Sequence, residues 1–232
     1  DTALDWLTEI RLCTNVNTII NMRKAILSLC LVLASTFGLN AQNLAFYFEL
    51  IPQAQLPHLK ADLLKGMIGL YELGQRPAQV PNLLNGVCVL DTLSDTYLSM
   101  HTSTMSTLSI KMLEQKADTT SILAVVKSVK AVGTTDSSIS FFTNTWSKLA
   151  TEQYFDIPSA HSFYQPNDTV SLEEFSNFCI PLIIEYKIDG DTISATIDPE
   201  KYLPEEVYQK ISPALSKDAV KYVWDGSRFR TN

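Results

Sequence analysis

The chain has 232 residues, is 46% hydrophobic, and carries 18 Lys and Arg against 25 Asp and Glu, for a net charge of −7. An acidic chain with no Lys/Arg cluster is repelled by phosphate backbones and by anionic lipid surfaces, which argues against nucleic acid and membrane surfaces as partners. Four cysteines in this length also argue against a scaffold held by several disulfides.

The first recognisable element begins at Met22. Arg23 and Lys24 supply a positive flank, Ala25 to Phe37 an apolar run, and Gly38-Leu39-Asn40-Ala41 a small-residue exit. That order is the signature of a secretory signal peptide over 22–41, with the mature chain starting near Gln42. The run falls short of the roughly 20 apolar residues of a membrane-spanning helix, and no later segment reaches that length. Cys30 does not fit the acylated cysteine of a lipoprotein, because it lies inside the run and follows Leu29. Residues 1–21 precede the signal and read as translated upstream sequence, not native to the protein. The expectation is an exported protein, periplasmic or extracellular, with a mature α+β domain over 42–232 in two blocks, 42–165 and 166–232. Residues 1–41 hold three charges of each sign, so the mature chain keeps the whole of the −7.

Along the mature chain, Leu44–Leu50 reads as a short strand ended by Pro52. Pro57 suits the first turn of a helix, and Leu59, Leu63, Met67 and Leu70 follow at helical spacing. Gly74 and Pro77 stop that helix. Residues 75–93, with Pro77, Pro81 and Gly86, read as irregular. Strands follow. One covers 96–100. Leu108, Ile110 and Met112 alternate with Ser109 and Lys111 in a half-buried second. A polar hairpin loop over 114–120 leads to the long apolar run 122–132, the mark of a central strand. Gly133-Thr134-Thr135-Asp136 turns the chain, and 138–143 returns. Adjacent strands joined by short polar loops predict an antiparallel meander, not a parallel βαβ sheet. Ile139 and Phe141 fall on one face of the returning strand and Phe142 on the other. A sheet apolar on both faces is covered on both, so all three are expected in the core, with Trp146 closing the strand end.

In the second block, Ser171-Leu172-Glu173-Glu174 fits a capping box, with Leu172, Phe175 and Cys179 on one helix face. Strands over 183–188 and 192–197 flank Asp189-Gly190, a hairpin signal. Pro204 opens a short helix with Glu205 and Glu206 in its first turn, where acids suit the helix dipole, and Pro213 ends it. A last strand covers 220–224, before Asp225-Gly226. The fold class is α+β: antiparallel β-meander sheets with a few short helices packed on them.

Chemistry is sparse. The three histidines, His58, His101 and His161, show no metal-ligand spacing, and no phosphate-binding glycine loop or Gly-x-Ser-x-Gly elbow occurs. Cys88 with His101 or His161 imitates a thiol nucleophile and base, but its apolar setting, Val87-Cys88-Val89-Leu90, suits an inert packed thiol. The acid pairs Asp91/Asp95, Glu173/Glu174 and Glu205/Glu206 lie where turns and helix starts use acids anyway. Cys88 and Cys179 either pair or sit apart as buried thiols, since spacing does not settle pairing. The sequence thus nominates no catalytic, cofactor-binding or metal-ligating residue. It points to a non-catalytic binding or assembly module with an envelope protein or glycan as partner. The alternative is a secreted hydrolase whose site assembles from distant residues.

Several stretches carry a resemblance: Pro52…Leu56-Pro57…Leu59, Leu93-Ser94-Asp95-Thr96-Tyr97-Leu98, Lys111-Met112-Leu113, Asp136-Ser137-Ser138-Ile139-Ser140-Phe141-Phe142…Trp146-Ser147-Lys148-Leu149, and Tyr222-Val223-Trp224-Asp225-Gly226…Phe229. In this order they resemble domain-of-unknown-function family 3256, exported proteins of Bacteroidetes-type Gram-negative bacteria. The resemblance covers nearly the whole mature chain and implies export and domain extent; it implies no reaction. Where that family often carries a cysteine pair, this chain has Ala131 and Thr135, so no disulfide is carried over.

Overall fold

Seven antiparallel strands cross the first sheet in the order in which the chain makes them. They are β1 (Ala78–Pro81), β2 (Val87–Leu93), β3 (Tyr97–Ser103), β4 (Ser106–Glu114), β5 (Ser121–Ala131), β6 (Thr134–Thr143) and β7 (Lys148–Leu149). This is the predicted meander. The computed structural model describes residues 43–116, 120–131 and 133–231; the predicted signal peptide and the segment upstream of it lie outside the described residues.

Strands β5 and β6 are apolar on both faces over part of their length, and each face meets its own core. In β5, Leu123 and Val125 enter the first core while Ile122, Ala124 and Val126 enter the second, the alternation that a pleated strand imposes. In β6, Phe142 enters the first core and Ile139 and Phe141 the second. All three are buried, as the pattern of that strand predicts. Full burial of such a side chain contributes about 1.5–3 kcal/mol.

Helices α1 (Leu44–Glu49) and α2 (Ala61–Glu72) cover the first face. The segment 44–50 is therefore helical where a strand is expected. Its buried residues are Leu44, Ala45, Tyr47 and Phe48, spaced for one helix face, and the Asn43 side chain caps it by accepting from the Phe46 N–H at 3.1 Å. Pro57 does not open α2. The helix starts at Ala61, and its most buried residues are Leu64, Met67, Ile68 and Tyr71, with Leu63 and Leu70 only partly buried beside them.

The stretch expected to be irregular contains β1 and β2. They are joined by a turn in which the Asn82 Oδ1 accepts from Leu84 N at 2.9 Å and Gly86 N at 3.0 Å. Pro81 is tolerated because β1 is an edge strand.

The second face is covered by a four-stranded antiparallel sheet in the order β11-β10-β9-β8. Its strands are β8 (Glu185–Asp189), β9 (Thr192–Thr196), β10 (Val220–Trp224) and β11 (Phe229–Thr231). Two short helices accompany it, α3 (Leu172–Phe178) and α4 (Glu205–Ile211). The capping box at Ser171 and Glu174 is formed, and Gly190 turns the β8–β9 hairpin at φ +56°. An aromatic cluster centres on Phe155, with ring centroids 4.5 Å from Tyr222, 5.7 Å from Tyr186 and 6.1 Å from Phe229. The sheets are stitched by backbone. Ser137 N donates to Ile184 O at 2.8 Å, Lys116 N to Gly226 O at 3.0 Å, and Phe229 N to Tyr154 O at 2.8 Å. Among the described residues no helix is long and apolar enough to cross a membrane.

Candidate functional site

Most of the reactive residue types of the sequence lie apart; the exception is His58, which lines the same cleft as Cys88 and Lys127. His101 Nδ1 is 2.7 Å from Asp91 Oδ2. His101 pairs with Val89 in the β2–β3 register, so it projects from the sheet face opposite to that of Cys88. Cys88 is 1% exposed, and its Sγ donates to the Thr102 carbonyl at 3.4 Å. Burial pushes its thiol up, away from the thiolate a nucleophile needs. His161 is exposed on a single-turn 3₁₀ helix, Ala160–Phe163. Glu174 closes the capping box of α3, and Glu205 and Glu206 occupy the first turn of α4. Cys88 belongs to the first core and Cys179 to the second, and both are free thiols, so the central sheet separates the two and the open pairing resolves to none. Among the described residues no group of three His, Cys, Asp or Glu is placed to hold a metal ion.

The concave ground is elsewhere, on the first face, beneath the segment that links α1 to α2. That segment is a coil of turns held by its own groups. Gln55 N donates to Pro52 O at 2.8 Å, and the Gln53 amide donates to the carbonyls of Leu56 at 2.8 Å and Leu59 at 3.0 Å. Leu56 and Leu59 are 5% and 3% exposed and anchor it to the first core. Two ties reach the sheet and its turns: Lys127 Nζ donates to Gln55 O at 3.1 Å and to Gln55 Oε1 at 2.8 Å, and Leu83 N of the β1–β2 turn donates to His58 O at 2.9 Å.

Lys127 comes from β5, where it continues the inward alternation of Leu123 and Val125. It divides two clefts of about 240 Å³ each, and with Gln55 it lines both. The first cleft lies against the linking segment, with largely apolar walls that include Leu56, Leu59, Leu108 and Val129. The second is more polar and is lined by Ser138 and Ser140 of β6, Lys148 of β7, and Val125 and Phe142 beneath. Among the described residues, neither lining contains an Asp or a Glu. The Lys127 ammonium is half-buried and, among the described residues, makes no ion pair, its two hydrogen bonds going to neutral oxygens. Burial lowers its pKa, because water is withdrawn from the charged form. A wider cleft of about 310 Å³ separates the polar part of the second sheet face, including Thr107 and Ser109, from strand β8.

Sequence reasoning passes over this site because its parts are remote: 55, 127, 138, 140 and 148. The single local signal is a lysine at an inward position of an otherwise apolar strand, since long charged groups are seldom placed toward a core without a partner.

One solved structure sharing the fold is titled "Structure of a domain of an uncharacterized protein from Porphyromonas gingivalis W83". It is similar with a TM-score of 0.71 at 22% identity, over 82% of this chain and 97% of that one. No curated protein matches the sequence. A family model described as "Protein of unknown function (DUF3256)" matches residues 36–229, and the chain belongs to that family.

Proposed function

We propose that the protein is an exported, non-catalytic binding module of the cell envelope, periplasmic or at the cell surface. Its leader is the Met22–Ala41 segment and its mature part begins near Gln42. Its recognition site is the pair of clefts divided by Lys127. The observation that carries the reading is the character of that ground. Apolar walls and a half-buried cation meet there, while the one thiol in the wall, Cys88, is spent on a backbone carbonyl. Concave, mainly apolar surface with a few fixed polar groups is the usual form of a small-ligand site.

Two measurements test it. N-terminal sequencing of the protein from its own cells is expected to begin near Gln42; a product retaining residues 1–22 overturns export. Affinity capture from detergent-free envelope extract, followed by mass spectrometry for small molecules and glycans, is expected to return a ligand. That ligand is lost when the apolar cleft is filled by Leu108→Trp. Turnover of an ester, glycoside or peptide library by the purified mature chain overturns the non-catalytic part in favour of a secreted hydrolase.

A further inference from the structure

Resting on that reading, we infer that the two clefts form one site for a small organic anion with a short apolar arm. The anionic head is taken by Lys127, Lys148 and the hydroxyls of Ser138 and Ser140, and the arm lies against Leu56 and Leu108.

Charge is the first ground. An ammonium has three donor hydrogens, and Lys127 uses its two observed hydrogen bonds on one glutamine. Removing a cation from water without an opposite charge is costly unless something compensates it. Among the described residues no carboxylate is within ion-pair reach of Lys127 or Lys148, and none lines either cleft, although the chain as a whole is acidic. The negative charge that this corner lacks is the charge a ligand would bring.

Donor placement is the second ground. Lys127 and Ser138 are register partners on neighbouring strands, and Ser140 follows Ser138 on the same face. Lys148 stands on the next strand, paired with Phe142. Donors from three consecutive strands thus face one cleft. The Ser138 and Ser140 hydroxyls make no hydrogen bond among the described residues, unlike those of Ser128 and Ser137 on the opposite face, which bond each other at 2.8 Å. Carboxylate, sulfate and phosphate heads all suit such a set, because each accepts several charge-assisted hydrogen bonds.

Shape is the third ground. The apolar cleft is larger than the void of about 150 Å³ that takes up benzene in an engineered core. It opens from the divider on the side away from Lys148. A ligand with its head on the serine side and its arm on the leucine side passes beside the Lys127–Gln55 tie.

Calorimetric titration of the mature chain with hexanoate tests this. Acetate supplies the head without the arm, 1-hexanol the arm without the head, and hexylamine the wrong charge. Hexanoate is expected to bind at least tenfold more tightly than any of the three. Lys148→Gln and Ser140→Ala, which leave the linking segment untouched, are expected to weaken hexanoate several-fold with unchanged melting temperature. Lys127→Gln is expected to abolish binding. Affinity is also expected to fall as pH rises, with a midpoint below that of an ordinary lysine. Hexanoate binding no tighter than acetate and hexanol, or affinity unmoved by Lys148→Gln and Ser140→Ala, overturns the assignment. Failure of this inference is separable from failure of the binding-module reading. An envelope ligand captured through the cleft, and not displaced by hexanoate, defeats the anion assignment alone. Hexanoate binding at the cleft by a protein that also turns over a library substrate defeats the non-catalytic reading alone.

Discussion

The indole N–H of Trp146 donates to the backbone carbonyl of Tyr47 at 2.7 Å, across 99 residues of sequence. The bond is buried and joins the end of the central meander to helix α1. The Trp146 ring also lies on Phe142 with centroids 5.5 Å apart. Its backbone is in the left-handed region, φ +63°, a strained position for a bulky residue that the surrounding contacts must hold. Trp146→Ala is therefore expected to lose about 3–5 kcal/mol, the cost of emptying an aromatic site in a core. Trp146→Phe keeps most of the ring and removes one of two hydrogen bonds to the Tyr47 carbonyl, which still accepts from Leu50 N at 3.2 Å, a loss of about 0.5–1.5 kcal/mol. Chemical denaturation of the three proteins ranks them, and a Trp146→Ala protein as stable as wild type defeats the prediction.

Asp225 supports the β10–β11 turn. Its Oδ1 accepts from Arg228 N at 2.9 Å, Ser227 Oγ at 2.7 Å and Ser227 N at 2.8 Å, and its Oδ2 faces the Arg230 guanidinium. The Arg228 N–H, followed by the Ser227 hydroxyl and Arg230, holds the carboxyl well below the usual carboxylate range. A carboxylate whose folded pKa is depressed contributes fully above its unfolded value, near 3.9, and loses that contribution as pH falls toward the folded one. The melting temperature of wild type is thus expected to drop below about pH 4 more steeply than that of Asp225→Asn. Parallel curves for the two proteins count against it.

The two thiols sit in separate cores, and burial pushes Cys179 up to about 11. Thiolate is the reactive form, so a thiol reagent at neutral pH is expected to modify neither cysteine in the folded protein within minutes and both on unfolding in urea. Dithiothreitol is expected to leave the melting temperature unchanged. A reductant-sensitive melt would mean that a disulfide forms.

Gly226 adopts φ +96°, and a Cβ there would collide with the Lys116 side chain at Cγ. Gly226→Ala is expected to cost about 1–3 kcal/mol from backbone conformation alone, with the Lys116 stem forced to move. Gly190→Asn is the contrast. Its φ of +56° suits asparagine, and nothing lies within 4 Å of the added Cβ, so a change within about 0.5 kcal/mol is expected. Equal losses in the two variants would remove the distinction.

Periodicity and turn chemistry made much of the fold legible. The alternation at Leu108–Met112, the doubly apolar start of the strand over 122–131, the capping box at Ser171 and the hairpin at Asp189-Gly190 all stand where the residues place them. Segments too short to establish a period were not legible. Six residues with Leu44, Ala45, Tyr47 and Phe48 serve a strand or a helix equally well until tertiary packing and the Asn43 cap decide. Strand β1 has four residues including a proline, and β11 has three with one apolar side chain. The cleft at Lys127 is hidden for another reason: its donors become neighbours only through strand register, which pairs 127 with 138 and 142 with 148.

The two-sided character of the central sheet bears on how the protein is cut. A fragment ending at Leu149 would keep every strand of the first sheet, both N-terminal helices and the Lys127 cleft. It would also lay bare Ile122, Ala124, Val126, Ile139 and Phe141 along two adjacent strands, the side chains now hidden beneath the C-terminal sheet. A flat apolar β surface of that kind seeks a second copy of itself. The last third of the chain therefore serves as the cover of an apolar sheet face made by the first two. A proteolytic nick near residue 165 that released it is expected to drive aggregation before either Lys127 cleft is touched.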